Sequence, residues 1–298
     1  MTFTAEIPLR WSDLDAQGHV NNALVVDYLQ EARVAFLRSG VASPLLDSGV
    51  VVVGHRVEYR SPIAYADVPV RVELGVSALG GARIELAYRV LQDGKPCVNA
   101  RTVLTPFNFN EQRPQRLSPE HRAFFDAHRI EAEALRPLAF PPLGGAGTPV
   151  PLAVRWTDLD SYGHVNNAKV FDFLQQARVT ATTAWVPAMA RAGAPRSERM
   201  WLVARQDVDY LVQLPHRMEP FEVRVAPVAV GTTSLTVEAE VTDPADGTVF
   251  ARGVTVLVSA DAHGRPTPLG PELTLGLERH TLGHERASGN GGDAPLRS

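Results

Sequence analysis

The 298-residue chain holds a single cysteine, Cys97. One thiol cannot build an intrachain disulfide framework or a multi-cysteine zinc site, and it fits a reducing compartment, so the cytoplasm is the expected location. Cys97 reads as a strand residue. Excess positive charge is also missing: 29 Lys+Arg stand against 33 Asp+Glu, a net charge of −4. That leaves no basic field to hold a polyanion, and no nucleic-acid partner is expected. No apolar run approaches the roughly 18 residues of a membrane span, the Val50–Val53 run ending at Gly54. The opening MTFTAEIPLRW lacks a basic patch followed by an apolar core, and its alternation predicts a strand rather than a secretory signal. The chain contains no G-x-S-x-G elbow, no P-loop and no G-x-G-x-x-G after a strand, which removes serine-hydrolase and nucleotide-cofactor readings. His280 and His284 are four residues apart, but HTLGH lacks the Glu of H-E-x-x-H. No metal and no cofactor are expected.

The rest of the composition is that of an ordinary globular protein, 45% hydrophobic and 21% charged. Its length fits two domains. Self-comparison shows why: RWSDLDAQGHVNNALVVDYLQEAR, from Arg10 to Arg33, returns as RWTDLDSYGHVNNAKVFDFLQQAR, from Arg155 to Arg178, with 17 of 24 positions identical. A weaker match follows, aligning Tyr59 with Tyr210 and Pro69 with Pro220. A repeat of this length is a duplicated small domain, not a solenoid unit. The boundaries drawn from it are a first module over 1–110, a linker with one helix over 111–148, a second module over 149–260, and a tail over 261–298 whose end is expected to be mobile.

In each module the apolar period changes from helix to strand. Val25, Tyr28, Leu29, Ala32 and Phe36 fall at helical spacing, with Asp27, Gln30, Glu31 and Arg33 on other faces; Asn22 is a candidate N-cap and Gly40 a candidate stop. Val170, Phe173, Leu174 and Ala177 repeat the stripe until Pro187 ends it. Alternating segments such as Val70–Val76 and Ile84–Val90, or Phe221–Val225 and Leu235–Val241, then predict strands. The order strand, loop, long helix, four strands gives an α+β class with the helix on one face of the sheet. Ser118-Pro119 opens a helix expected to reach Leu135, and the eight Gly or Pro residues of 137–151 leave that stretch without regular structure.

Chemistry concentrates in D-L-D-x-x-G-H-V-N-N, which both copies place between a strand and the long helix. Free backbone N–H groups and the positive end of the helix dipole at such a junction favour negative charge developing on a carbonyl oxygen, the demand of acyl transfer. Asp15 and Asp160 supply a carboxylate able to attack or to activate water. His19 and His164 are candidates to orient substrate or share a proton. Gly18 and Gly163 allow a turn or a close ligand approach. Gln17, Tyr162, Asn21, Asn22, Asn166 and Asn167 are further candidate substrate-binding positions, the asparagines also suiting helix caps. For Asp13 and Asp158 the simpler role is pairing with Arg10 and Arg155. Trp11, Trp156 and the helix stripes are assigned to the core.

The string DLDxxGHVNN, followed by an amphipathic helix and four strands, resembles the hotdog-fold acyl thioesterases, notably the 4-hydroxybenzoyl-CoA thioesterase-like and plant acyl-carrier-protein thioesterase groups. The resemblance implies a double hotdog, two units joined side by side with active sites at their seam, that hydrolyses an acyl-CoA or acyl-carrier-protein thioester. Such units are also expected to associate into homo-oligomers. It assigns the catalytic carboxylate to Asp15 and Asp160, and the helpful His to His19 and His164. Gln17 and Tyr162 stand where the plant enzymes carry an Asn, and Glu31 becomes Gln176, so the copies need not be equal. An enoyl-thioester hydratase or dehydratase on the same fold, and a non-catalytic acyl-CoA sensor, are the other readings.

Overall fold

The computed structural model describes residues 1–138, 141–189 and 199–282. Its first half contains β1 (Phe3–Ile7), α1 (Val25–Arg38), a one-turn α2 (Leu45–Ser48), β2 (Val50–Tyr59), β3 (Val70–Leu79), β4 (Ile84–Gln92) and β5 (Lys95–Asn108). A short β6 (Arg113–Pro114) and α3 (Pro119–Ala127) lead to the second half: β7 (Thr148–Leu152), α4 (Lys169–Trp185), β8 (Met200–Tyr210), β9 (Phe221–Val230), β10 (Ser234–Thr242) and β11 (Val249–Ala260), closed by α5 (Pro271–Glu278). Among the described residues no helix is long and apolar enough to cross a membrane.

The strands form one antiparallel sheet in the order β1-β3-β4-β5-β2-β8-β11-β10-β9-β7, with β6 paired to the end of β5. Each module thus contributes the same five-strand pattern, and the two patterns meet where β2 pairs with β8. The register places Arg56 opposite Asp207 at the middle of that seam. The Tyr59–Tyr210 alignment makes these two residues counterparts, so two identical modules would oppose like charges here. Divergence has instead put an Arg56 Nε–Asp207 Oδ2 contact at 3.4 Å and an Arg56–Asp209 ion pair at 2.6 Å across the seam. Opposed charges stabilise a cross-strand pair and like charges destabilise it, which favours joining one module to the other kind.

Each long helix packs its apolar stripe on its own module's strands. Val25, Tyr28, Leu29, Ala32 and Phe36 are buried as the spacing predicts, as are Val170, Phe173, Leu174 and Ala177. This is an α+β double hotdog.

Four local expectations change. The helix after Ser118 starts as predicted, with Ser118 Oγ accepting from the His121 N–H, but stops at Ala127 rather than Leu135. Beyond it the backbone leaves the helix to pair with Val76 of β3, through Val76 N–H to His128 O and Ile130 N–H to Val76 O. Pro149 and Pro151 lie within β7, a strand tolerated there because β7 is an edge and pairs only with β9. The tail folds into α5 before the described residues end, and SGNGGDAPLRS lies outside them. Gly40 follows the end of α1 at Arg38, yet its role is close packing: a Cβ there would sit 2.5 Å from the Phe124 ring.

Candidate active site

In both copies a short 3-10 turn, Trp11–Asp13 or Trp156–Asp158, precedes the conserved loop. Asp13 and Asp158 are buried and ion-paired to Arg10 and Arg155 at 3.0 and 2.9 Å, the structural role expected of them. Tyr28 adds a 2.7 Å hydrogen bond to Asp13 Oδ2. The same turn directs Trp11 and Trp156 outward. They are 73% and 77% exposed, contrary to their core assignment, and each meets one ring edge-on, Tyr65 or His216.

The chain then doubles back tightly. Asp15 N–H donates to His19 O at 2.8 Å, Gly18 N–H donates to Asp15 O at 3.0 Å, and Asp15 Oδ1 accepts from Gln17 N–H at 2.8 Å and His19 N–H at 3.4 Å. Asp160 makes the equivalent contacts with His164, Gly163 and Tyr162. Gly18 and Gly163 sit at φ +81° and +79°, where a side chain is strained. Asp15 therefore shapes the turn with one oxygen, and Oδ2 makes no hydrogen bond among the described residues.

The N–H groups of Gly18 and Gly163 are already engaged within the turn, by Asp15 O and Asp160 O. Asn22 is not an N-cap. Asn21 and Asn166 accept from the N–H groups of Ala23 and Ala168 at 3.0 Å each, while the cap position of each helix carries no side-chain hydrogen bond. Asn22 and Asn167 instead reach across the seam, and their backbone N–H groups find no acceptor among the described residues. Asn22 Nδ2 donates to Gln206 Oε1 at 3.3 Å; Asn167 Oδ1 lies 3.1 Å from His55 Nε2. Tyr59 and Tyr210 hydroxyls donate to Asn22 O and Asn167 O at 2.8 and 2.6 Å. Burial, then the Arg33 charge, pushes His55 down to about 3, so its ring is neutral.

Asp15 opens onto a cavity of about 1330 Å³ between the modules. His19, Asn22, Val25 and Ile63 line it from one side; Gln175, Arg178, Val179, Leu202 and Leu257 line it from the other. The His19 ring makes no hydrogen bond among the described residues, and Gln17 lies at the cavity with its amide near Trp201 O. The Asp160 loop has different neighbours. Tyr162 donates its hydroxyl to Leu46 O, and Phe109 packs against both the Tyr162 ring, at 5.1 Å, and the His164 ring, at 5.7 Å. Glu31 is exposed and does not line the cavity.

Sequence reasoning missed Arg33 and Arg178. The spacing puts Arg33 off the packed face of its helix and does not single out Arg178, yet both are buried, at 5% and 7% exposure. The signal was available: they close the repeated segment, and a charge retained in both copies four residues after Leu29 and Leu174 lies beside the apolar stripe. Among the described residues no three His, Cys, Asp or Glu side chains gather to hold a metal ion; His280 stacks on Trp185, and His284 lies outside the described residues.

The fold and the duplicated loop define a class, the tandem hotdog proteins. Comparison then gives the family: the sequence profile of the Thioesterase-like superfamily matches residues 9–125 and 154–277, and the chain belongs to that family. No curated protein matches it by sequence. Among solved structures, the 12:0-ACP thioesterase of Umbellularia californica superposes with a TM-score of 0.66 at 17% identity, over 87% of this chain and 97% of the other. An acyl-ACP thioesterase of Bacteroides thetaiotaomicron gives 0.59 at 16% identity, over 86% and 97%. A Lactobacillus plantarum structure assigned as an oleoyl thioesterase gives 0.70 at 15% identity, over 87% and 96%. At these identities the structures share the fold.

Proposed function

We propose that the chain hydrolyses acyl-CoA or acyl-carrier-protein thioesters to a free acid and a thiol, at the single site built on Asp15. One observation carries the choice of site: Asp15 faces a cavity of about 1330 Å³ walled by both modules, whereas at the matching loop Tyr162 is tied to Leu46 and Phe109 packs on the Tyr162 and His164 rings. The walls supplied by Val25, Ile63, Val98, Val179, Leu202 and Leu257 suit an acyl chain.

Asp15 Oδ2 is the oxygen that attacks the carbonyl carbon or takes the proton of an attacking water; Oδ1 is held by two amides, which fixes the carboxylate's direction. His19 positions the substrate at the mouth. The Asn22 N–H, at the start of α1 and without an acceptor among the described residues, faces the developing oxyanion.

The test is thiol release over matched panels of acyl-CoA and acyl-carrier-protein substrates, with Asp15→Asn and Asp160→Asn. Loss of at least 100-fold in kcat/KM for Asp15→Asn, with Asp160→Asn within about twofold of the parent, is expected. Equal losses from both variants would overturn the single-site reading. Thiol release from neither panel would overturn the hydrolase reading, and a change in enoyl absorbance instead would point to hydration. Oxygen-18 in the enzyme after one turnover in labelled water separates attack by Asp15 from attack by water.

A further inference from the structure

The helix α4 brings to the cavity wall a charge that no acid among the described residues neutralises. Gln175, Arg178, Val179 and Thr182 fall on one face of that helix, and all four line the space in front of Asp15. Arg178 is only 7% exposed, and among the described residues its Nη1 has no hydrogen-bond partner and no acid pairs with it. Arg205, 8% exposed, differs in that it binds both oxygens of Asp207, at 2.5 and 3.1 Å. A buried unpaired guanidinium is destabilising unless a ligand completes it. Burial lowers its affinity for its proton only to about 10, so it remains charged at neutral pH.

Its place along the cavity is equally telling. The ionisable group that its charge acts on is Tyr59, whose hydroxyl is bonded to Asn22 O. Arg178, Tyr59 and Asn22 line the same cavity, and Arg178 is near enough to Tyr59 for their charges to interact. The Asn22 N–H marks where the thioester carbonyl would lie.

We propose that Arg178, supplied by the second module, is a catalytic residue of the Asp15 site that receives the thioester carbonyl oxygen and the negative charge it acquires. The inference rests on the hydrolase reading above. As the new C–O bond forms, the carbonyl π pair moves onto oxygen, and Arg178 and the Asn22 N–H hold it. When the pair returns, the C–S bond breaks, the thiolate takes the proton that the attacking water gave to Asp15, and water plus thioester have become acid plus thiol. A guanidinium is suited to this because its charge persists and its fork of N–H groups is preorganised. The first module's counterpart, Arg33, is likewise buried with Nη1 unpartnered, but it does not line the Asp15 cavity. It serves as an internal control with the same burial and no substrate.

The experiment compares Arg178→Met, Arg178→Lys and Arg33→Met in the full chain, by steady-state thiol release and thermal unfolding, with parent and Asp15→Asn alongside. Expected is a 100- to 1000-fold fall in kcat for Arg178→Met with KM within about threefold, a smaller fall for Arg178→Lys, and Arg33→Met within about threefold of the parent. Unchanged kcat in Arg178→Met, a loss confined to KM, or equal losses in Arg178→Met and Arg33→Met with equal drops in Tm would each overturn the assignment. Those results leave the hydrolase reading standing when Asp15→Asn is dead and the parent turns over; an inactive parent sinks both.

Discussion

Phe109, carried past the end of β5, lies stacked on His164 of the other module with ring centres 5.7 Å apart, and the residue in its place at the Asp15 site is Ala262. The correspondence is fixed by the turn that holds each of them. Asn108 Oδ1 accepts from Asn110 N–H at 2.9 Å, and Asp261 Oδ1 accepts from His263 N–H at 2.8 Å, one turn just past β5 and the other just past β11. Ala262 lines the cavity that a phenyl ring would occupy. Ala262→Phe is therefore expected to lower kcat/KM at least tenfold with little change in Tm. Conversely, Phe109→Ala with Tyr162→Gln, built on Asp15→Asn, is expected to restore measurable thiol release through Asp160. A silent Ala262→Phe variant would show that the ring does not decide which site works.

The duplicated loop, the helix stripes and the Arg10–Asp13 and Arg155–Asp158 pairs were legible because their causes are local: identity between copies, a 3.6-residue period, and charges three residues apart. What escaped is set by distant partners. Asn22 meets Gln206 184 residues away, and Tyr162 meets Leu46 116 residues away. No period in the sequence encodes such contacts, so all four asparagines suit caps by position although only Asn21 and Asn166 bond to the helix start. Arg33 escaped for the same reason, since a face that is free on an isolated helix is buried in the folded chain. Trp11 and Trp156 failed differently: a large aromatic is usually buried, but a 3-10 turn anchored by its aspartate turns each one outward.

Tyr28 and Phe173 are counterparts, and only the first can bond its aspartate. Asp158 compensates by accepting the Arg155 backbone N–H at 2.8 Å. Tyr28→Phe leaves one fewer hydrogen bond on the buried Asp13, and a loss of about 1–2 kcal/mol is expected in urea unfolding. Phe173→Tyr gives no matching gain, since Asp158 is already satisfied. Equal effects of the two substitutions would show that ring volume, and not the bond, is being measured.

His55 makes the seam sensitive to acid. Its ring is fully buried between Thr102 Oγ1, 2.9 Å from Nδ1, and Asn167, with Arg33 and Arg56 adding positive charge nearby. The folded chain holds this group at about 3 against 6.5 for a free imidazole, so the unfolded state binds the proton first. Stability contributed by the neutral ring is present above pH 6.5 and is lost as pH falls below it, by up to about 1.4 kcal/mol per unit. The other module uses Gln206 at the corresponding position, so His55→Gln is a substitution the architecture already accepts. The Tm of the parent is expected to fall faster than that of His55→Gln between pH 7 and 5. Parallel curves would mean that His55 titrates normally.

Glu238 on β10 works in the opposite sense. It is fully buried, Arg252 Nε lies 3.3 Å away, and neither carboxylate oxygen has a hydrogen-bond partner, because Arg252 is committed to Glu240 at 2.8 Å. Burial raises Glu238 from 4.5 to about 7; Arg252 opposes the rise and Glu240 adds to it. The folded state therefore binds this proton more tightly than the unfolded chain. The stabilising contribution is complete below pH 4.5 and disappears as pH rises through 7, a change of order 3 kcal/mol across the interval. Glu238→Gln carries the neutral form at every pH. It is expected to raise Tm clearly at pH 8 and to lose that advantage by pH 5, when the parent's own carboxyl has become neutral. A difference in Tm that stays constant from pH 8 to 5 would show that Glu238 keeps its charge in the folded protein.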